Sequence, residues 1–316
     1  MPWTRASLRH ALERRGLRPR KGLGQHFLVD PDVCAAIVEA GALPPGADVL
    51  EIGCGPGLLT THLAPAAGRL LAVDIDPDMA GLCREALAGA SHVEILVKDI
   101  LDAEGRIGVT WGVERGAESV ERQASSGERT APDAPRSTLH AERSTLRAQP
   151  STPSALYVYG NLPYNISVDI VVALLDWARP VARIVVLVQR EVAERMVARP
   201  GGEQYGPLSV VSQTFAGVEV LRRVPRSAFW PPPRVESAVV RLDPRPGRAG
   251  ESLRAWEALQ GLFRGRRKRL GNVLESLGLE REAARAACVT AGAEMTARAE
   301  TLSPEVLAKL SGFVNS

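Results

Sequence analysis

The run Asp48-Val49-Leu50-Glu51-Ile52-Gly53-Cys54-Gly55-Pro56-Gly57-Leu58 decides the fold of this chain. A short apolar, β-branched stretch stops at a glycine-rich turn, and Leu58–Leu63 then opens a helix: strand, tight turn, helix. Working outward, the same alternation returns. Leu70–Asp74 reads as a second strand, and Asp76-Pro77 starts the next helix, with the acid as cap and proline in the first turn. Val93–Val97 reads as a third strand, Leu156–Gly160 as a fourth and Arg183–Val188 as a fifth, followed by a helix over Glu191–Val197. Short apolar strands alternating with helices predict a parallel sheet covered on both faces. Val218–Val224 and Ser237–Leu242 lack a helical crossover and predict an antiparallel pair closing that sheet.

The flanks differ from this core. Residues 4–15 predict a short amphipathic helix ended by Gly16. A loop with two glycines and an aromatic follows, Lys21-Gly22-Leu23-Gly24-Gln25-His26-Phe27-Leu28. Asp30-Pro31 then starts a helix that runs to about Ala40 and ends at Gly41. Asp243–Arg248 has the composition of a linker. Beyond it, Leu262, Leu270, Val273, Leu274 and Leu277 supply apolar stripes of helical period, so residues 246–316 are expected to form a small all-helical domain after a 1–245 α/β domain. Residues 103–154 fit neither pattern. They are rich in Ser, Thr, Ala, Arg, Glu and Pro, and Arg-Ser-Thr-Leu occurs at Arg136–Leu139 and again at Arg143–Leu146. So polar a stretch buries too little to offset its ordering entropy, which predicts a loosely packed insertion.

Bulk properties narrow the functional classes. The chain has 316 residues, 45% hydrophobic and 24% charged, ordinary for a water-soluble globular protein. Its apolar runs are shorter than a membrane span, and the N-terminus has no signal-peptide core. Cys34, Cys54, Cys83 and Cys288 are scattered without a CxxC pair, so neither a zinc site nor a disulfide framework is expected, and a reducing cytoplasm fits. Net charge is +3, yet the positive residues are concentrated. Arg5, Arg9, Arg14, Arg15, Arg18, Arg20 and Lys21 crowd the first thirty positions, and Arg264-Gly265-Arg266-Arg267-Lys268-Arg269 contains no acid. Two such clusters on a nearly neutral chain point to a polyanionic partner, although a solubilising face gives a similar pattern.

The glycine-rich turn is suited to a nucleotide-like cofactor. Glycines at alternate positions let the backbone turn sharply and approach a ligand. Asp74, about twenty residues on, ends the second strand where it can accept hydrogen bonds from ribose hydroxyls. A dinucleotide needs GxGxxG, with a third glycine packing the helix on the strand; here the spacing is GxGxG, with Leu58 and Thr60 beyond it. That favours S-adenosylmethionine, which has no pyrophosphate. Asp99, ending the third strand, can accept from an adenine amino group; it suits a turn or helix cap equally.

Asn161-Leu162-Pro163-Tyr164 leaves the fourth strand at the same sheet edge, where open α/β sheets bind ligands. Ser167 is expected to cap the next helix. An Asn amide oxygen, a rigid proline turn and an aromatic face suit an exocyclic amine on a flat ring. Asn161 and the Leu162 carbonyl can each accept one amine hydrogen, Pro163 stiffens the turn and Tyr164 can stack on the ring. Phe229, in Phe229-Trp230-Pro231-Pro232-Pro233-Arg234-Val235, is the candidate for a second stacking ring, though it also fits a core position at a strand entry. Methyl donor and amine at one edge imply methyl transfer to a base.

These motifs together resemble a known family. Lys21–Leu28, Glu51–Gly57, Asn161–Ser167 and Phe229–Ser237 match the bacterial small-subunit ribosomal RNA adenine dimethyltransferases. The resemblance implies a Rossmann-like class I methyltransferase sheet with a helical tail. It also implies N6,N6-dimethylation of two adjacent adenosines near the 3′ end of small-subunit (16S) RNA during ribosome assembly, on a pre-30S particle, by a cytoplasmic monomer. It assigns S-adenosylmethionine contacts to His26, Leu28, Gly53, Asp74, Asp99 and Asn161, with Gly55 in the same turn. His26 stands where many relatives have Asn; either can hydrogen-bond the donor's methionine end. Arg264, Arg266, Arg267, Lys268 and Arg269 are expected to form a basic helix on RNA phosphates. The 103–154 insertion is the main departure, since relatives have a short connection there.

Overall fold

The computed structural model describes residues 3–109, 155–248 and 250–314. In chain order the elements are α1 (Arg5–Arg14), β1 (Phe27–Leu28), α2 (Pro31–Gly41), β2 (Asp48–Ile52), α3 (Leu58–Leu63), β3 (Arg69–Asp74), α4 (Pro77–Ala86) and β4 (Val93–Val97). Then come β5 (Leu156–Asn161), α5 (Ser167–Asp176), β6 (Val181–Gln189), α6 (Arg190–Met196), α7 (Pro207–Phe215), β7 (Ala216–Val224), β8 (Phe229–Trp230) and β9 (Ser237–Pro244). The tail holds α8 (Ser252–Arg264), α9 (Leu270–Ser276), α10 (Arg281–Ala291) and α11 (Pro304–Val314). Residues up to Gly108 and from Ala155 on form one compact unit.

A seven-stranded sheet runs β4-β3-β2-β5-β6-β9-β7. The first five strands are parallel, and β9 is antiparallel to both β6 and β7, as the sequence pattern predicts. Val49, Leu70, Tyr159, Val185 and Val239 share one core cluster with Val33, Ile37 and Leu63 from α2 and α3. Their alternating neighbours Leu50, Leu71, Val158, Val186 and Val240 are also buried. Both faces are therefore dry, which is why these strands read as continuous apolar runs. The tail packs through α8 and α11 on α7, and through α8 on α5; Ser252 Oγ donates to Val172 O at 2.9 Å.

Several local expectations change. Ser167 does not cap α5. Ile166 takes the cap position, because Ile166 N already bonds Pro163 O and Ile170 N closes onto Ile166 O. Ser167 is the first helical residue, buried, with no hydrogen-bond partner for its hydroxyl among the described residues. The helix α7 (Pro207–Phe215) was not expected: its polar residues Ser209, Ser212 and Thr214 are buried with the apolar ones, so the sequence does not separate a core face from a solvent face. The basic stretch is not a helix: α8 ends at Arg264, Gly265 is its C-cap, and residues 265–269 turn into α9. Residues 103–107 make a compact turn in which Asp102 Oδ1 accepts from Glu104 N and Arg106 N. The expectation of a loosely packed insertion otherwise falls on 110–154, outside the described residues.

Candidate active site

The parallel register of β2 and β5 pairs Ile52 with Gly160. The next residues, Gly53 and Asn161, therefore leave the sheet side by side. Gly53 has φ 71°, a left-handed conformation that side chains resist. A Cβ there would lie 3.4 Å from Asn161 O and 3.8 Å from Pro163 Cδ. Gly160 is as confined: a Cβ on it would sit 2.6 Å from Ile52 O. Missing side chains thus let the glycine turn and the Asn161 turn meet.

Around this junction lies a cleft of about 260 Å³. It gathers nine of the expected residues: His26, Gly53, Gly55, Asp74, Asp99, Asn161, Leu162, Pro163 and Tyr164. Asp74 holds the glycine turn in shape, accepting from Gly55 N at 2.7 Å and from Asp76 N at 2.8 Å. Burial pushes its carboxyl upward, against the lowering by these backbone donors. Asp99 sits exposed at the rim, and its Oδ1 accepts from Leu101 N at 3.1 Å. It is a turn aspartate that also lines the cleft. Beneath the turn, Glu51 is 1% exposed; burial, then nearby Cys83, holds its carboxyl well above the usual range.

The Asn161 amide has one possible orientation. Nδ2 donates to His26 O at 2.8 Å, and a carbonyl only accepts, so Oδ1 remains as an acceptor. Leu162 N donates to Leu187 O in β6, which steers the chain into the proline turn. Tyr164 is anchored by its hydroxyl, 2.5 Å from Ser237 Oγ; burial raises its ionisation, so the phenol stays neutral at ordinary pH.

Two expected residues lie elsewhere. Phe229 is fully buried and belongs to the core cluster with Leu28, Val33 and Val239. It does not line the cleft and provides no second stacking ring in this conformation. The cause is a strand pair that local sequence does not reveal: β8 runs antiparallel to β1, with Phe229 opposite Leu28 and Trp230 opposite Phe27. Leu28, 5% exposed, is drawn into the same core. Ile75, Gln25 and Lys98 also line the cleft and Ser237 anchors Tyr164, but the sequence assigned none of them a role. Of these, Ile75 carried a signal: a large apolar residue, 49% exposed in the fold, directly after a strand-end acid.

The cleft suits S-adenosylmethionine on its own features. The Gly53–Gly55 turn leaves open backbone, Asp74 and Asp99 offer carboxylates, and Ile75 and Ile100 offer apolar surface for a ring. The chain matches the family described as ribosomal RNA adenine dimethylase over residues 16–315. It belongs to that family. Its relatives include the ribosomal RNA small subunit methyltransferase A of Moorella thermoacetica, 34% identical over 94% of this chain and 93% of that protein. The protein of the same name from Rubrobacter xylanophilus is 38% identical over 93% and 95%. Among solved structures, the 23S rRNA methyltransferase ErmE is 25% identical with a TM-score of 0.56, covering 92% of this chain and all of that one. A dimethyladenosine transferase from Plasmodium falciparum has a TM-score of 0.64 over 90% of this chain and 96% of that one; at 22% identity the likeness is one of fold. This dimethylase is thus an S-adenosylmethionine-dependent enzyme in which the Gly53–Gly55 turn and the Asn161–Tyr164 turn leave one sheet edge side by side.

The tail's basic turn is partly neutralised. Arg266 Nε lies 2.9 Å from Glu300 Oε2, whereas Arg264, Arg267, Lys268 and Arg269 are exposed and form no ion pair among the described residues. At the N-terminus Arg15 pairs with Glu85, and Arg20 with Asp76 and Asp78. Arg14, Arg18 and Lys21 remain exposed.

Proposed function

We propose that this enzyme dimethylates N6 of two adjacent adenosines near the 3′ end of small-subunit ribosomal RNA, acting as a monomer on an assembling small subunit. The observation that carries the reading is the junction of Gly53 with Asn161, supported by relatives named for the small subunit. S-adenosylmethionine supplies an electrophilic methyl on sulfur; Gly53, Gly55, Asp74 and Asp99 would hold it. Adenine N6 is a poor nucleophile because its lone pair is delocalised into the ring. In the first transfer Asn161 Oδ1 and the Leu162 carbonyl would each accept one N6 hydrogen, favouring a pyramidal nitrogen; in the second, one of them would accept the single hydrogen that remains. Tyr164 would stack on the base, worth about 1–3 kcal/mol. Placement of reactants and of acceptors then supplies most of the acceleration, without a side-chain nucleophile. In this reading residues 1–245 carry the chemistry, while the 246–316 tail grips RNA through Arg264, Arg267, Lys268 and Arg269.

Methyl uptake from labelled donor into isolated small and large subunits tests this. Small-subunit RNA should take up label, and Asn161→Ala should lose about a hundredfold or more in kcat. Label entering only the large subunit would favour the second reading, to which the likeness to ErmE points.

A further inference from the structure

The geometry points to His26 and Ser237 as positioning residues that clamp Tyr164 from two sides, so that the target base stacks on one face of the tyrosine instead of being sandwiched. This rests on the function proposed above and goes beyond it. The imidazole of His26 is stacked on the Tyr164 ring, with centroids 5.5 Å apart and planes 28° from parallel. A base inserted between two rings needs about 7 Å, twice a carbon–carbon contact distance. His26 therefore already occupies one face of Tyr164. Its ring is itself fixed: Nδ1 lies 2.8 Å from Pro231 O, and a carbonyl only accepts, so Nδ1 carries the proton. On the other side, Tyr164 Oη and Ser237 Oγ are 2.5 Å apart, and Ser237 is fully buried in β9. Ring plane and ring edge are thus both held. Phe229, the other candidate for a wall of the base slot, lies in the core.

His26 links the parts of the site through two different groups. Its backbone oxygen holds Asn161 Nδ2, and any residue at position 26 keeps that bond. Its side chain alone reaches Tyr164 and the Pro231 loop. The side chain accordingly sets how the base lies over the amine acceptors, beside any contact it makes with the donor.

Steady-state kinetics with small subunits, together with donor binding by calorimetry, read this out. His26→Ala should lower kcat about ten- to a hundredfold, as expected for a misplaced reacting group, a larger factor than any rise in KM or Kd for S-adenosylmethionine. His26→Phe keeps a stacking ring and should recover most of the loss; His26→Gln keeps a donor without the ring and should not. This pair decides the matter if His26→Ala fails to fold. The His26→Ala/Tyr164→Ala double variant should be no slower than Tyr164→Ala, and Ser237→Ala should match Tyr164→Phe without adding to it. A raised donor KM with kcat intact in His26→Ala, no rescue by Phe, or losses that multiply would overturn the proposal. A wild-type protein inert toward small-subunit RNA would instead overturn the function on which it rests.

Discussion

At Gly53 the absence of one carbon atom keeps the glycine turn and the Asn161 turn in contact. Gly53→Ala forces a side chain into a left-handed backbone, a cost of about 1–2 kcal/mol, and places its Cβ 3.4 Å from Asn161 O. We expect lower thermal stability and weaker S-adenosylmethionine binding, both measurable by calorimetry. Glu51 offers a test by pH. Its folded-state pKa is raised, mainly by burial, so the native protein keeps a proton that the unfolded chain releases above about pH 4.3. This contribution is complete at lower pH and is lost as pH rises through the folded pKa. Glu51→Gln, which cannot ionise, should therefore gain stability over wild type toward neutral pH and lose that advantage in acid. Unfolding temperatures across pH would show it; an advantage that grows toward acid would contradict the assignment. Asp74, Asn161 and Tyr164 were legible in the sequence because each sits at a strand end or in the turn that follows it. Phe229 was not, because its direction depends on pairing with Leu28, about two hundred residues away in the chain.

At the scale of elements, the short β1–β8 pair has more consequence than its length suggests. It brings Gln25-His26-Phe27 against the Phe229–Val235 loop and so makes the Pro231–His26–Asn161 chain of hydrogen bonds possible. Alternation of strands and helices was readable because the strands, dry on both faces, are short continuous apolar runs and the helices between them open at marked caps such as Asp76-Pro77. The two-residue strands carry no period, and α7 buries Ser209, Ser212 and Thr214 along with its apolar residues, so polarity there does not mark a solvent face. The α1 helix closes the same corner, with Trp3 Nε1 donating to Pro56 O and Arg5 to Ser227 O. Trp3→Ala removes the donor to the glycine turn and an apolar group packed between two core clusters. It should weaken donor binding while leaving RNA affinity unchanged, as read by calorimetry and filter binding.

For the whole molecule, the proposed function assigns chemistry and RNA grip to different parts of the chain, the second to the exposed basic residues of the tail. Arg267, Lys268 and Arg269 lie on a turn between tail helices, not on the basic helix that composition alone suggested. A run of like charges says which residues are solvated but not whether the backbone beneath them is helical; Gly265 and the cap at Arg269 decide that. Replacing all three with Ala should weaken RNA binding and flatten its salt dependence, by roughly 0.7–0.9 in log–log slope for every phosphate that the turn no longer neutralises, with donor affinity unchanged. Arg266 is the exception in the cluster, since removing it also frees Glu300. The central claim is that a methyl donor at Gly53 and an adenine amine at Asn161 meet at one sheet edge. The most direct test is to incubate the protein and S-adenosylmethionine with small subunits lacking the modification, then map methylated nucleosides by mass spectrometry of RNA fragments. The account predicts two neighbouring N6,N6-dimethyladenosines near the 3′ end, absent with Asn161→Ala. Methylation at another atom or site, or its persistence in that variant, would contradict it.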